Sequence, residues 1–297
     1  MDDFERRIPG ADELLDRVMD ICPFPATAQR LMALANDETA PLDAIATAVA
    51  TDPALATQVL RVANSAAFRP SAATPVRELR QALVNIGLDA LRTMAGAMAL
   101  LATFATRDEV SIDLQGTSAV SGSIAATITQ RIPGVMPSLP FLCGLLCEVG
   151  SLACLAVDGA GYVEVWRRTV QSQGPWTARA AAARDELEAK RYGATTRTIG
   201  ARLLRRHLLP KEIADAIEAS APMPKDALLL HRATAFARLA TPGAVRAHSL
   251  SNHAALVEQV REIGRYTSLN EVDVNELAKR CDAAAGFAAN TLKATRG

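Results

Sequence analysis

The chain has 297 residues, with Lys plus Arg and Asp plus Glu balanced at 32 each, so no bulk field draws it to nucleic acid or to an anionic membrane. Its apolar fraction of 49% and charged fraction of 22% are those of an ordinary globular protein, long enough for one large or two smaller domains. The longest apolar runs, read as Met94–Leu101 and Leu139–Leu146, fall short of the roughly 18–20 residues of a membrane span, and the charged N-terminus lacks the apolar core of a signal peptide, so the expectation is a cytoplasmic protein with no membrane partner.

Alanine and leucine dominate and period-two alternation of β-branched residues is scarce, which predicts an all-α protein. Short helices are expected up to about Thr106. Asp52-Pro53 supplies an N-cap followed by proline at the first helical position. In the helix that follows, Leu55, Val59, Val62 and Ala66 share one face while Gln58, Arg61 and Ser65 point elsewhere. Thr74-Pro75 repeats the start signal. Gly87 interrupts two apolar runs, as a helix C-cap or a close backbone contact would. A charged connector, Arg107-Asp108-Glu109, follows. Helices are then expected over about 117–132, 138–156, 161–173, 177–191, 197–208, 211–220, 225–240, 250–263 and 271–294. Leu209-Pro210 and Thr241-Pro242 mark two further starts, and Ser268-Leu269-Asn270-Glu271 forms a capping box. The architecture expected is a two-lobed helical bundle: an N-terminal lobe over 1–107, a second lobe over 108–240, and a C-terminal helical extension over 241–297 packed on that second lobe.

Several spaced motifs run through the N-terminal part: Pro23-Phe24-Pro25-Ala26-Thr27-Ala28, then Thr51-Asp52-Pro53-Ala54-Leu55, then Val62-Ala63-Asn64-Ser65, then Asn85-Ile86-Gly87-Leu88. In order and spacing the series resembles the HDOD domain, the HD-related output domain of bacterial signalling proteins, over about residues 15–240. The resemblance implies a second lobe built like an HD domain. The local jobs of these residues are readable without it. Asp52 accepts hydrogen bonds from free helix N–H groups, Pro53 has none to offer, and Asn64 near a helix end bonds loose backbone groups. Asn64 and Ser65 as part of a binding surface is the minority alternative.

Phe141-Leu142-Cys143-Gly144-Leu145-Leu146-Cys147-Glu148-Val149-Gly150 keeps the apolar frame and both glycines of an HD motif. In the HD phosphohydrolase superfamily it reads Gly-Leu-Leu-His-Asp-Ile-Gly, and the His and Asp bind a divalent cation that activates water and neutralises phosphate. Here the pair is Cys147-Glu148. The resemblance places the other ligand positions on Thr117, Thr196, Ser220 and Thr234. The four histidines, His207, His231, His248 and His253, all come later than the first two of these positions. Losing one ligand can be compensated; losing the set argues against the metal site, so no cofactor is expected.

Two rescues fail on geometry and count. Cys143, Cys147 and Cys154 lie at i, i+4 and i+11, within roughly 40° on one face of a continuous helix. Three thiolates with Glu148 or a remote histidine are a zinc-type donor set. Cys154, however, is more than two turns from Cys143, and buried free cysteine commonly acts as a small hydrophobe. With Cys22 and Cys281 the cysteines are odd in number and irregularly spaced, which is no disulfide framework. His207 is explained by a surface or helix-end position, His231 by partial burial, and His248 and His253 by solvation.

Three functions compete. The first is a non-catalytic regulatory module that binds a signalling or regulatory protein; the emptied site favours it. The second is a vestigial cleft that binds a cyclic dinucleotide or alarmone, or retains some phosphohydrolase activity. Its carboxylates would be Glu148, Asp158, Asp185 and Glu186, although Asp185-Glu186 reads more simply as a solvated helix face. The third is nucleic-acid binding, through the helices around residues 42–66 or a small basic patch of Arg202, Arg205 and Arg206; such clusters are more often solvated surface. The expectation is the first, no enzyme, with homo-oligomerisation left open.

Overall fold

The computed structural model describes residues 10–21, 30, 33–34, 37, 39–51, 53–64, 75–104, 108–129, 138–171, 178–207 and 209–218. Among them lie twelve α-helices and no strand. The expected elements beyond residue 218, together with Asp52, Ser65, Ser220, Thr234, His231, His248 and His253, lie outside the described residues.

Helix α1 (Ala11–Ile21) buries Ala11, Leu14, Leu15 and Val18, a one-sided stripe at helical spacing. That stripe packs against helices of the second half of the chain, α8 (Val149–Val157) and α11 (Thr196–Arg206). Helices α2 (Leu42–Ala50), α3 (Pro53–Asn64) and α4 (Leu79–Ile86) pack on one another. Pro53 opens α3 as expected, and Val59 and Val62 are buried on its inner face.

Asn64 is the clasp of this group. Its Nδ2 donates to the carbonyls of Leu60 (2.8 Å) and Val76 (2.7 Å), and its Oδ1 accepts from the Val76 N–H at 2.7 Å. Both main-chain groups of Val76 are thereby used in a non-helical segment. Accordingly Thr74-Pro75 does not start a helix: α4 begins at Leu79, after Pro75–Arg77. Asn64→Ala is expected to cost about 1–3 kcal/mol, because it leaves part-buried backbone groups unsatisfied; urea unfolding with an unchanged m-value measures it.

Gly87 ends α4 with φ of 87°, a region costly for other residues, and its N–H bonds to the Leu83 carbonyl at 2.9 Å. No atom lies within 4 Å of where its Cβ would be, so its role is the cap and not a close contact. Helix α5 (Leu88–Thr103) follows directly.

Asp108-Glu109 is a helix start and not a connector. The Asp108 carboxylate accepts the Ser111 N–H at 2.8 Å, and α6 runs over Glu109–Thr129, beginning well before the expected 117. It lies against α7 (Ser138–Leu145), where Gly122 and Gly144 let the two backbones meet. The helix expected over 138–156 is broken: Leu146–Glu148 form a turn between α7 and α8. Cys143, Cys147 and Cys154 are all buried and in no disulfide, but the break removes the continuous face on which a shared zinc site would depend. The apolar run also extends further than the sequence reading placed it. Ser138–Val157 is long and apolar enough for a membrane crossing by length and composition, yet 83% of that window is buried inside the fold and it contains Glu148.

Helix α9 (Gly159–Trp166) continues into a π-helical turn at Arg167–Gln171; α10 (Ala178–Tyr192), α11 and α12 (Lys211–Glu218) complete the described part. Pro210 precedes α12 and its carbonyl accepts from Ile213 at 3.1 Å, as the Leu-Pro start signal predicts. At the α8–α11 crossing, Gly150 faces Gly200 with no room for a side chain on Gly150.

Candidate functional site

The turn that breaks the long apolar run puts Glu148 immediately before α8, with 1% exposure. Burying a carboxylate at such a place requires compensation, and α10 supplies it. Arg184, 2% exposed, reaches in from α10; its Nη2 donates to Glu148 Oε2 at 2.6 Å. Its Nε donates to Glu188 Oε1 at 2.7 Å, one turn further along the same helix. The guanidinium therefore stands between two buried carboxylates.

Three hydroxyls complete the group. Arg184 Nη2 donates to Tyr162 Oη (2.8 Å) and lies against Ser151 Oγ. Ser151 Oγ donates to Glu148 Oε2 at 2.6 Å. Thr196 gives both its backbone N–H (2.8 Å) and its hydroxyl (2.9 Å) to Glu188 Oε2. The Trp166 ring lies 5.4 Å from the guanidinium carbon, a cation–π distance. Burial disfavours the charged Arg184, but the charges of Glu148 and Glu188 more than offset it, and the net direction is well above the ordinary arginine value. Burial pushes the Tyr162 hydroxyl and the Cys154 thiol well up, which keeps both protonated.

A second ion pair lies beside the first. Asp158, between α8 and α9, accepts from Arg191 Nη2 at 2.9 Å, from Arg191 Nε, and from the Tyr192 hydroxyl at 3.0 Å. Gly161 leaves room for this pair, since a Cβ there would meet the Arg191 guanidinium and the Asp158 carboxylate, which would have to shift.

Of the positions proposed from the sequence, Glu148 and Thr196 are brought into one group. Cys147 is buried at the break, and Thr117 is buried on α6, outside the hydrogen bonds that join Glu148 to Thr196. Arg184, Glu188, Ser151 and Tyr162 were missed. The available signal was Arg184 and Glu188 at i, i+4, a spacing that places an ion pair on one helix face; the adjacent Asp185-Glu186 drew attention to the opposite face. There Glu186 is exposed, and Asp185 pairs with Arg197.

A divalent cation of the HD type does not fit this group. The two carboxylates are already bridged by a guanidinium, and the remaining polar atoms are hydroxyls engaged with them. Among the described residues no set of three or more His, Cys, Asp or Glu side chains is arranged to hold a metal ion. His207 is the C-cap of α11, part-buried, with burial lowering its pKa below the ordinary histidine value.

The basic patch is clasped by acids. Arg202 pairs with Asp12 (3.2 Å) and Arg206 with Asp16 (2.6 Å), tying α11 to α1, while Arg205 bridges Asp215 (2.8 Å) and Glu218 (2.7 Å) of α12.

Comparison with known proteins bears on the fold. No curated protein matches the chain. Among solved structures, a candidate phosphohydrolase from Shewanella amazonensis superposes with a TM-score of 0.64 at 21% identity, covering 94% of this chain and 97% of that one. An HDOD domain protein of unknown function from Geobacter sulfurreducens gives 0.62 at 21% identity, with 95% and 96% covered. A candidate signal-transduction protein from Marinobacter aquaeolei gives 0.62 at 21% identity, with 96% of this chain and 64% of that one covered. At these identities the likeness is one of fold, and the fold is the all-α HDOD/HD-like arrangement. The HDOD domain profile matches residues 21–222, well over half of the sequence, and the chain belongs to the HDOD domain family.

Proposed function

We propose that the chain is a non-catalytic regulatory module that acts by binding another protein. One observation supports this: the Arg184 guanidinium bridges Glu188 and Glu148, and Glu148 is the residue that the resemblance sets at a metal-ligand position of HD hydrolases. The fold relatives bear descriptions of both kinds, phosphohydrolase and signal transduction, so fold does not choose between them; the buried ion pair supports the signalling reading. The paired state of Arg202, Arg205 and Arg206 leaves little unbalanced positive charge for a phosphate backbone, which favours a protein partner over nucleic acid.

The test uses the purified full chain. Metal analysis is expected to show less than stoichiometric Mn, Fe, Zn or Mg. Assays with p-nitrophenyl phosphate and cyclic dinucleotides, with Mn²⁺ or Mg²⁺ added, are expected to show no turnover. Affinity purification is expected to recover a specific protein. One metal ion per chain together with hydrolysis would sink the proposal. A saturable thermal shift with a cyclic dinucleotide or alarmone would replace protein binding with nucleotide binding as the reading.

A further inference from the structure

We infer that the Arg184 side chain is a built-in cation, occupying a cation-selective pocket that closes on an external cation when the guanidinium is removed. The pocket is lined by the carboxylates of Glu148 and Glu188 and the hydroxyls of Ser151, Tyr162 and Thr196. Every one of these polar atoms is an oxygen, the donor type that hard cations select. The lining comes from five elements: the turn before α8, α8 itself, α9, α10 and α11. A cation at the centre therefore joins helices distant in sequence, as a metal ion does in a metal-dependent fold. The inference takes from the proposed function only the correspondence of Glu148 with a ligand position; the charge argument stands apart from it.

The guanidinium matches this pocket better than a spherical ion. It serves Glu148 through Nη2 and Glu188 through Nε on different edges of one plane. Its central carbon lies over the Trp166 ring, 5.4 Å from the centroid. A point charge can approach both carboxylates but cannot offer several N–H donors in the fixed directions of one plane. The order of preference expected is guanidinium-class cations first and divalent cations second.

Arg184→Ala leaves two buried carboxylates without their counter-ion and is expected to lower the thermal midpoint by roughly 10 °C. Millimolar methylguanidinium chloride is expected to raise the midpoint of this variant by several degrees while leaving the wild type unchanged or slightly lowered. Sodium chloride at equal ionic strength is the control and is expected to have no such effect. Mn²⁺ is expected to give a smaller rise. The triple variant Arg184→Ala, Glu148→Gln, Glu188→Gln is expected to be more stable than Arg184→Ala and to lose the response to methylguanidinium.

A folded Arg184→Ala protein that responds no better to methylguanidinium than to salt overturns the inference. Should Arg184→Ala fail to accumulate, recovery of the triple variant decides: recovered folded protein supports charge compensation, and equally poor recovery overturns it. The two proposals fail separately. Metal and turnover in the wild type, alongside cation rescue of Arg184→Ala, removes the non-catalytic reading alone. A metal-free, inactive wild type with no rescue removes this inference alone.

Discussion

Gly150→Ala is expected to destabilise the fold by about 3 kcal/mol or more, a cost at the upper end of overpacking because the clash is with main chain. A Cβ on Gly150 would lie 1.9 Å from the Thr196 carbonyl oxygen and 2.7 Å from the Gly200 nitrogen. Neither can swing aside as a side chain would; α8 and α11 must separate. Separation has a second consequence. Ser151 and the preceding Glu148 belong to one side of the crossing and Thr196 to the other, so the hydrogen-bonded group around Arg184 opens as the helices part. Gly200→Ala, whose Cβ would meet only contacts of 3.1 Å and beyond, is expected to cost less. Gly159→Ala, with nothing within 4 Å of its Cβ, should stay within about 0.5 kcal/mol of wild type. Urea unfolding followed by circular dichroism ranks the three. Gly150→Ala with wild-type stability would mean that the crossing is looser than described.

The frame of the motif was legible in the sequence and its content only partly so. Gly144 and Gly150 announce close helix contacts because glycine inside an apolar helical run has few other uses, and both are at backbone-to-backbone crossings. Glu148 was visible as a departure from the HD pattern. What it does was not, because its partner Arg184 is 36 residues away, and no local spacing encodes which helix will pass over a turn. Periodicity also hid the break at Leu146–Glu148: the run is apolar on both sides of Glu148, so its pattern continues across a point where the backbone does not. The Thr74-Pro75 start failed for a related reason, since the alternative partner for that backbone, Asn64, is twelve residues upstream. Asp108, by contrast, is a cap whose partner is local, its carboxylate accepting the N–H of Ser111 three residues on.

Glu188→Ala is expected to cost about 3–5 kcal/mol, the range for breaking a buried ion pair by removing one partner. Three donors approach closely: Arg184 Nε at 2.7 Å, the Thr196 N–H at 2.8 Å and the Thr196 hydroxyl at 2.9 Å. The Thr196 N–H is one of the orphan donors at the start of α11, so Glu188 serves as a counter-ion for α10 and a cap for α11 at once. Glu188→Gln retains an acceptor for Thr196 while losing the charge, and is expected to fall between wild type and Glu188→Ala. Glu164→Ala removes a carboxylate that pairs with exposed Arg167 and Arg168 and is expected to cost no more than about 1 kcal/mol, as surface pairs do. Denaturant unfolding of the three separates a buried from a surface role, and a Glu188→Ala loss no greater than that of Glu164→Ala would refute the buried one. Glu148→Ala combined with Glu188→Ala should depart from the sum of the single losses, because the two carboxylates share one guanidinium. Additivity would mean that Arg184 does not join them and that its guanidinium is not their shared counter-ion.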